Sequence, residues 1–180
     1  VERSRGLGDV YKRQELQQLL SDNQYAQLHR LADHITVESG WERAAEMVLE
    51  GFLDALCTDD IESAAKQLKQ LRKGSVTFYQ KQANQDEQVD TNTLAAKIKT
   101  DLAIVTKLQQ IMLADDVAHA LSLRQQLRPG QSVITADGIW FSQDWVRYSN
   151  AVSASEGVLS RKAEIADLTC LLYTSDAADE

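Results

Sequence analysis

The chain has 180 residues, with 27 acidic side chains against 19 basic ones and a net charge of −8. That length suits one domain, or two small lobes, with a real core. The acidic balance excludes a general polyanion binder, so any nucleic-acid contact must come from a local basic patch, and no apolar run approaches the length of a membrane span.

The N-terminal end carries Asp9-Val10-Tyr11-Lys12-Arg13-Gln14, which can be encoded as GAT GTG TAT AAG AGA CAG. The reverse complement of that word, read one base later, encodes Cys-Leu-Leu-Tyr-Thr-Ser, and these residues stand at Cys170 to Ser175. Opposite strands of one DNA word at the two ends point to a transposon-type sequencing adapter. Its arms would also supply Ser4 to Gly8 and Asp176 to Glu180. Residues 1–14 and 170–180 are therefore expected to be adapter translation, rather than a frayed arm and an acidic tail, and stay outside the fold argument. The remainder, 15–169, is expected to be an interior piece of a longer gene. Within it Cys57 is the sole cysteine and sits in an apolar run, which suggests a buried thiol in a reducing compartment.

Taken along the chain, Ser39 to Glu50 is predicted as a helix, with Ser39 as N-cap, Trp41, Ala44, Ala45, Val48 and Leu49 inward, and Gly51 as its stop. Phe52 to Thr58 is an apolar strand, and Asp59-Asp60 opens a helix with Ile61, Ala64, Ala65, Leu68 and Leu71 at helical spacing. The first aspartate of such a pair suits the N-cap and the second the positive end of the helix dipole. Ser75 to Tyr79 returns as a strand. Lys81 to Thr93, rich in Gln, Asn and acids, is a solvated connector. Leu94 to Leu108 is predicted helical. Ile111 to Ala114, a helix opened by Asp115-Asp116, and Ser132 to Thr135 then repeat the strand–helix–strand pattern at an offset of 56 residues. Right-handed crossovers should place each strand pair in parallel. Asp137-Gly138 is a hairpin-turn signal before Ile139-Trp140-Phe141, and Trp145 to Tyr148 extends the antiparallel part. From Val158 onward Val158, Ile165 and Leu168 form one helical stripe. The resulting fold class is mixed α/β (α+β): lobe one at 15–80, a connector at 81–93, lobe two at 94–157 and the start of a coiled-coil arm at 158–169.

Chemistry-bearing patterns are sparse. The chain has no phosphate-binding loop and no dinucleotide fingerprint. His29 and His34 are five apart and His119 stands alone, which is poor spacing for zinc. The aspartate pairs suit capping better than magnesium. Cys57 has no adjacent base, Ser132, Ser142 and Ser153 lack a nucleophile elbow, and Trp41, Trp140 and Trp145 read as core or interface anchors. The pattern predicts a module that binds or assembles rather than an enzyme, with no cofactor and no metal of its own.

Several segments together resemble the hinge domain of SMC (structural maintenance of chromosomes) proteins of a bacterial branch. Gln27 to Asp33, then Ile35-Thr36-Val37 and Gly40-Trp41-Glu42-Arg43-Ala44, resemble its start; Lys73-Gly74-Ser75-Val76-Thr77-Phe78 is similar to its Gly-x-x-Thr-Phe strand. Ser132 to Gly138 is similar to its Val-Val-Thr-x-Asp-Gly turn, and Gly157 to Ile165 to the junction where the second coiled-coil arm leaves. The paired glycines that many hinges carry beyond that turn are missing from Asn150 to Glu156, and the junction lysine cluster is reduced to Arg161 and Lys162.

The resemblance implies a homodimerisation module, without catalysis of its own, in an ATPase of chromosome condensation and segregation. ATP and magnesium would bind at head domains elsewhere in the parent, and the hinge would close one end of a ring around DNA. It implies a cytoplasmic, nucleoid-associated protein with a second copy of itself and DNA as partners and no membrane. The dimer contact is expected near Val76 to Tyr79 and near Ile139 to Tyr148, with Val76, Phe78, Tyr79, Ile139, Trp140, Phe141 and Trp145 as its named residues; the expected DNA contacts are Arg147, Arg161 and Lys162. Two alternatives stay open on the residues alone. One is a small α/β enzyme domain with its catalytic groups elsewhere or among Asp59, Asp115 and Cys57; the other is an unrelated dimeric interaction module.

Overall fold

The structure, a computed structural model, describes residues 14, 17–18, 20–21, 25–71, 74–83, 88–150 and 157–176. In chain order its elements are β1 (Ile35–Val37), α1 (Glu42–Val48), β2 (Leu56–Thr58), α2 (Ile61–Gln67), β3 (Phe78–Gln80), β4 (Ile98–Thr100), α3 (Val105–Leu108), β5 (Ile111–Ala114), α4 (Val117–Arg124), β6 (Ser132–Thr135), β7 (Trp140–Phe141), β8 (Val146–Arg147) and α5 (Val158–Asp176). Short 3-10 turns at Leu31–His34 and Leu94–Lys97 lead directly into β1 and β4. The fold is mixed α/β, as expected.

The backbone divides into two compact units. The first draws on Val1–His34 and Gly51–Gln82, the second on Ile35–Glu50 and Ala83–Glu180. In the first unit β2 and β3 pair in parallel, Leu56 opposite Phe78 and Cys57 opposite Tyr79, with α2 as the crossover. All three residues of β2 are buried, and Leu31, Leu53, Ala55, Cys57 and Ala64 form the core around it. The chain at 29–31 runs beside β2, its His29 carbonyl accepting from the Cys57 N–H at 2.9 Å and the Leu31 N–H donating to Ala55 at 2.8 Å.

In the second unit, β5 and β6 are parallel and β6–β7–β8 continue antiparallel, giving the order β5-β6-β7-β8. Helix α4 packs on β5 and β6, and Ala114, Ala120, Leu127, Val133 and Phe141 make one buried cluster beneath it. A separate ribbon pairs β1 with β4 antiparallel, Ile35 opposite Thr100 and Val37 opposite Ile98.

The internal repeat reaches further back than the strand–helix–strand units. The first copy has a 3-10 turn, β1, α1 and β2; the second has a 3-10 turn, β4, α3 and β5. The bridge of Arg30 to Leu56 has its counterpart in Thr93 to Met112, and the bond from Cys57 N–H to His29 in that from Leu113 N–H to Asn92. β1 and β4 are thus counterparts that pair with each other. This is why 35–50, placed in lobe one at 15–80 from the sequence, groups with the second unit: the backbone groups of β1 are satisfied by β4.

Several boundaries differ from expectation, each for a local reason. The predicted helix Ser39–Glu50 is α1, Glu42–Val48; Gly40 adopts a φ of 93°, outside the helical range, so Ser39 is no cap, and the Gly40 N–H is held by Glu42 Oε2 at 2.8 Å. The predicted helix Leu94–Leu108 is instead a 3-10 turn, β4 and α3. The strands predicted at Phe52–Thr58 and Ser75–Tyr79 are Leu56–Thr58 and Phe78–Gln80, with a turn over 51–54. The connector 81–93 ends in structure, because Ala83 bridges Leu102 and Thr93, buried, bridges Met112. In α5 Leu159 is buried, whereas Ile165 and Leu168 of the expected stripe are 65% and 61% exposed. The helix runs through to Asp176, across residues expected to be adapter; residues 1–13 and 177–180 of the expected adapter lie outside the described residues.

The two aspartate pairs cap their helices, but through the second member. Asp60 Oδ1 accepts from Ser63 N–H at 2.9 Å and Asp116 Oδ1 from His119 N–H at 2.7 Å. Asp59 lies exposed, 3.9 Å from Lys81 Nζ, and Asp115 lies 3.3 Å from His119 Nδ1. Replacing Asp60 or Asp116 by alanine should therefore cost about 1 kcal/mol, read as a lower urea midpoint. Asp59→Ala and Asp115→Ala should each cost no more than about 0.5 kcal/mol.

Candidate self-association surface

Strand β8 is two residues long and ends the four-stranded sheet, with no strand among the described residues on its outer side. Ser142 N–H donates to the Trp145 carbonyl at 2.8 Å. The antiparallel register then turns the backbone of Trp145 and Arg147 towards β7 and that of Val146 and Tyr148 outward. Outward N–H and C=O groups coincide with exposed apolar side chains: Val146 is 61% exposed, Tyr148 55% and Trp145 41%. The turn before β8 is braced, as Arg124 Nε donates to the Ser142 carbonyl at 2.9 Å and Gln143 Nε2 donates to the Leu127 carbonyl. Trp145 meets Trp140 edge-to-face at 5.1 Å, and Trp140 Nε1 donates to Ser132 Oγ at 2.9 Å.

The residues expected in the contact therefore divide. Trp145 is on the open edge. Trp140 is half-buried and anchored, Ile139 packs against the core cluster, and Phe141 belongs to that cluster at 6% exposure. A two-residue strand alternates faces, so an apolar run such as Ile139-Trp140-Phe141 necessarily sends part of itself inward. Val146 and Tyr148 fall within the expected segment Ile139 to Tyr148 and are its most exposed apolar side chains.

In the first unit, β2 is the one strand paired with β3 among the described residues. Val76, Phe78 and Tyr79 are half-buried, and the Phe78 ring meets Tyr25 edge-to-face at 5.0 Å. This edge is less apolar and less open than β8.

The basic residues expected to contact DNA each have an intramolecular partner. Arg147 pairs with Glu50. Arg161 Nε donates to the Gly157 carbonyl at 3.1 Å, and Lys162 Nζ to the Ile35 carbonyl at 2.8 Å. The last two sit in the first turns of α5, which lies against β1 and is tied to it by that Lys162 bond. Among the described residues no group of three or more His, Cys, Asp or Glu is placed to hold a metal ion.

A family model described as the SMC proteins flexible hinge domain matches residues 26–124. The chain belongs to the SMC hinge family. It is 32% identical over 156 residues to the chromosome partition protein Smc of Coxiella burnetii, covering 86% of this chain and 13% of that protein. It is 31% identical over 145 residues to the Smc of Xanthomonas oryzae pv. oryzae, covering 81% and 12%. This hinge thus spans about one eighth of the length of these relatives. Among solved structures, the asymmetric dimer of the Geobacillus stearothermophilus SMC hinge domain superposes with a TM-score of 0.66 at 20% identity, over 98% of this chain and 88% of that one. The Pyrococcus furiosus SMC hinge domain gives 0.53 at 19% identity, over 76% and 84%. These likenesses establish the fold.

At the β3 edge of this hinge, burial pushes the Tyr79 phenol above its ordinary value of 10, reinforced by the neighbouring Cys57. The neutral phenol is thus favoured in the folded state. Its contribution to stability is fully present below pH 10 and is lost as pH rises from there through the raised value. Alkaline unfolding followed by circular dichroism should show stability falling above pH 10, and Tyr79→Phe should flatten that fall.

Proposed function

We propose that this hinge pairs with a second copy of itself, the open β8 edge of one chain meeting the β3 edge of the other. A two-fold arrangement then makes the contact twice. The observation that carries this is β8: outward backbone groups and three exposed apolar side chains on one strand edge. An unpaired edge of this kind is completed by a strand from another chain. The parent is an ATPase of chromosome condensation and segregation in the cytoplasm, at the nucleoid. Its ATP and magnesium bind at head domains outside this chain, while the hinge supplies no catalysis, takes no cofactor and closes one end of a ring around DNA.

Val146 is exposed enough to change without disturbing the fold, which makes it the test. Val146→Lys should keep the circular dichroism spectrum and weaken dimerisation in sedimentation equilibrium by tenfold or more, about 1.4 kcal/mol. A wild-type protein that stays monomeric at high concentration would sink the proposal.

DNA contact near the arm junction, through Arg147, Arg161 and Lys162, belongs to the same proposal. With three cations already engaged within the chain, that binding should be weak and electrostatic. Fluorescence anisotropy with duplex DNA should show the affinity falling steeply between low and physiological salt; a salt-independent affinity would count against phosphate contact.

A further inference from the structure

We infer that helix α1 is a strut connecting the β8 edge to the first turn of α5, with Glu46 as the residue that positions the arm. Its three polar attachments come from a short stretch of chain. Arg43 Nε donates to the Asp137 carbonyl at 3.1 Å and Nη2 to the Ser149 carbonyl at 2.8 Å, so one guanidinium holds both the β6–β7 turn and the residues just beyond β8. The same guanidinium lies 5.7 Å from the centre of the Tyr148 ring, a cation–π distance. The approach is close enough that a Cβ on Gly138 would sit 3.2 Å from Arg43 Cγ. Glu50, just after the helix, pairs with Arg147 on β8 itself.

The third attachment faces α5. Glu46 Oε1 accepts from the N–H groups of Leu159 at 3.1 Å and Ser160 at 3.4 Å. The first N–H groups of any helix lack partners within it, and a carboxylate there also meets the positive end of the dipole. Arg43 and Glu46 are three apart, hence neighbours on the helix surface. Glu46 thus caps α5 from a different element, while Leu159 at 3% exposure and the bond from Lys162 to Ile35 fix the same turn. Movement of β8 reaches the arm through Arg43, Glu50 and Glu46. The strut is intramolecular and stands apart from self-pairing; only its consequence for the assembled form rests on the function proposed above. In that form, ordering β8 against a partner chain also orders the start of the arm.

Amide hydrogen exchange at Leu159 and Ser160 of the full chain tests this. Glu46→Ala should raise both rates about fivefold to tenfold, the size of a lost cap, and Glu46→Gln, which keeps an acceptor oxygen, should restore most of the protection. Arg43→Ala and the surface change Arg147→Gln should raise the same rates about threefold, because each loosens the hold of α1 on the β8 edge. Unchanged rates in Glu46→Ala would overturn the cap. A response to Glu46→Ala, but to neither arginine change, would overturn the strut. For the assembled form, the wild-type rates should fall as the protein dimerises and match those of Val146→Lys when dilute. A dimer whose rates equal those of the Val146→Lys monomer overturns the link to assembly. A wild-type protein that never dimerises overturns self-pairing, and the arginine changes still decide the strut.

Discussion

Every strand among the described residues is two to four residues long, and the demand that buried backbone groups be paired governs everything built from them. A strand of three residues offers so few hydrogen bonds that it persists only where neighbours on both sides, or a tightly packed helix, complete it. β2 has β3 on one side and the chain at 29–31 on the other. β5 has β6 on one side and the chain at 92–93 on the other, where Leu113 N–H donates to the Asn92 carbonyl and Thr93 bridges Met112. β1 and β4 complete each other. Among the described residues the outer edges of β3 and β8, like those of the β1–β4 ribbon, carry no further strand, and of these β8 is the one flanked by exposed apolar side chains, Trp145, Val146 and Tyr148. Backbone pairing and apolar exposure together single out the surface proposed for self-association.

The polar side chains follow from the same demand. Asp60 and Asp116 satisfy the opening N–H groups of α2 and α4, Glu46 those of α5, and Arg43 and Arg124 satisfy carbonyls in the turns around β7 and β8. Charged side chains that cap and brace backbone from a distance are worth more than exposed ion pairs. The acidic balance of the chain thus has a partly structural role, and Arg147 and Lys162, candidates for phosphate contact, are also braces.

Much of this was legible in the sequence. β5 and β6 fall where the apolar runs Ile111 to Ala114 and Ser132 to Thr135 place them, because a capped helix between two short runs admits few arrangements. The family resemblance rested on segments spread over the chain, and the matched region covers most of them. β4 was illegible for a specific reason. Leu94, Ile98, Leu102 and Val105 recur at helical spacing, and all four are buried, yet the chain passes through a 3-10 turn, a strand and a helix to place them there. Burial periodicity reports which residues face inward, and over so few residues it does not report the backbone that carries them. The same shortness hid the division of Ile139, Trp140 and Phe141 between surface and core. Arg43 and Glu46 left no pattern at all, since they reach backbone roughly a hundred residues away.

Short edges also bear on how the proposed pairing would behave. A two-residue strand meeting a three-residue one buries little and forms few hydrogen bonds, so one such contact alone binds weakly. The two-fold arrangement supplies it twice, and once the first contact forms, the second closes within a complex whose ends are already held together. Loss of either contact returns the pair to the weak regime. A hinge built this way holds firmly when both edges are engaged and releases by stages. It needs no long interface to do so, only two short edges kept in register by the braces behind them. Rigid support for β8 is then worth more than additional apolar area, and Arg124, Gln143 and Arg43 provide it from behind the strand.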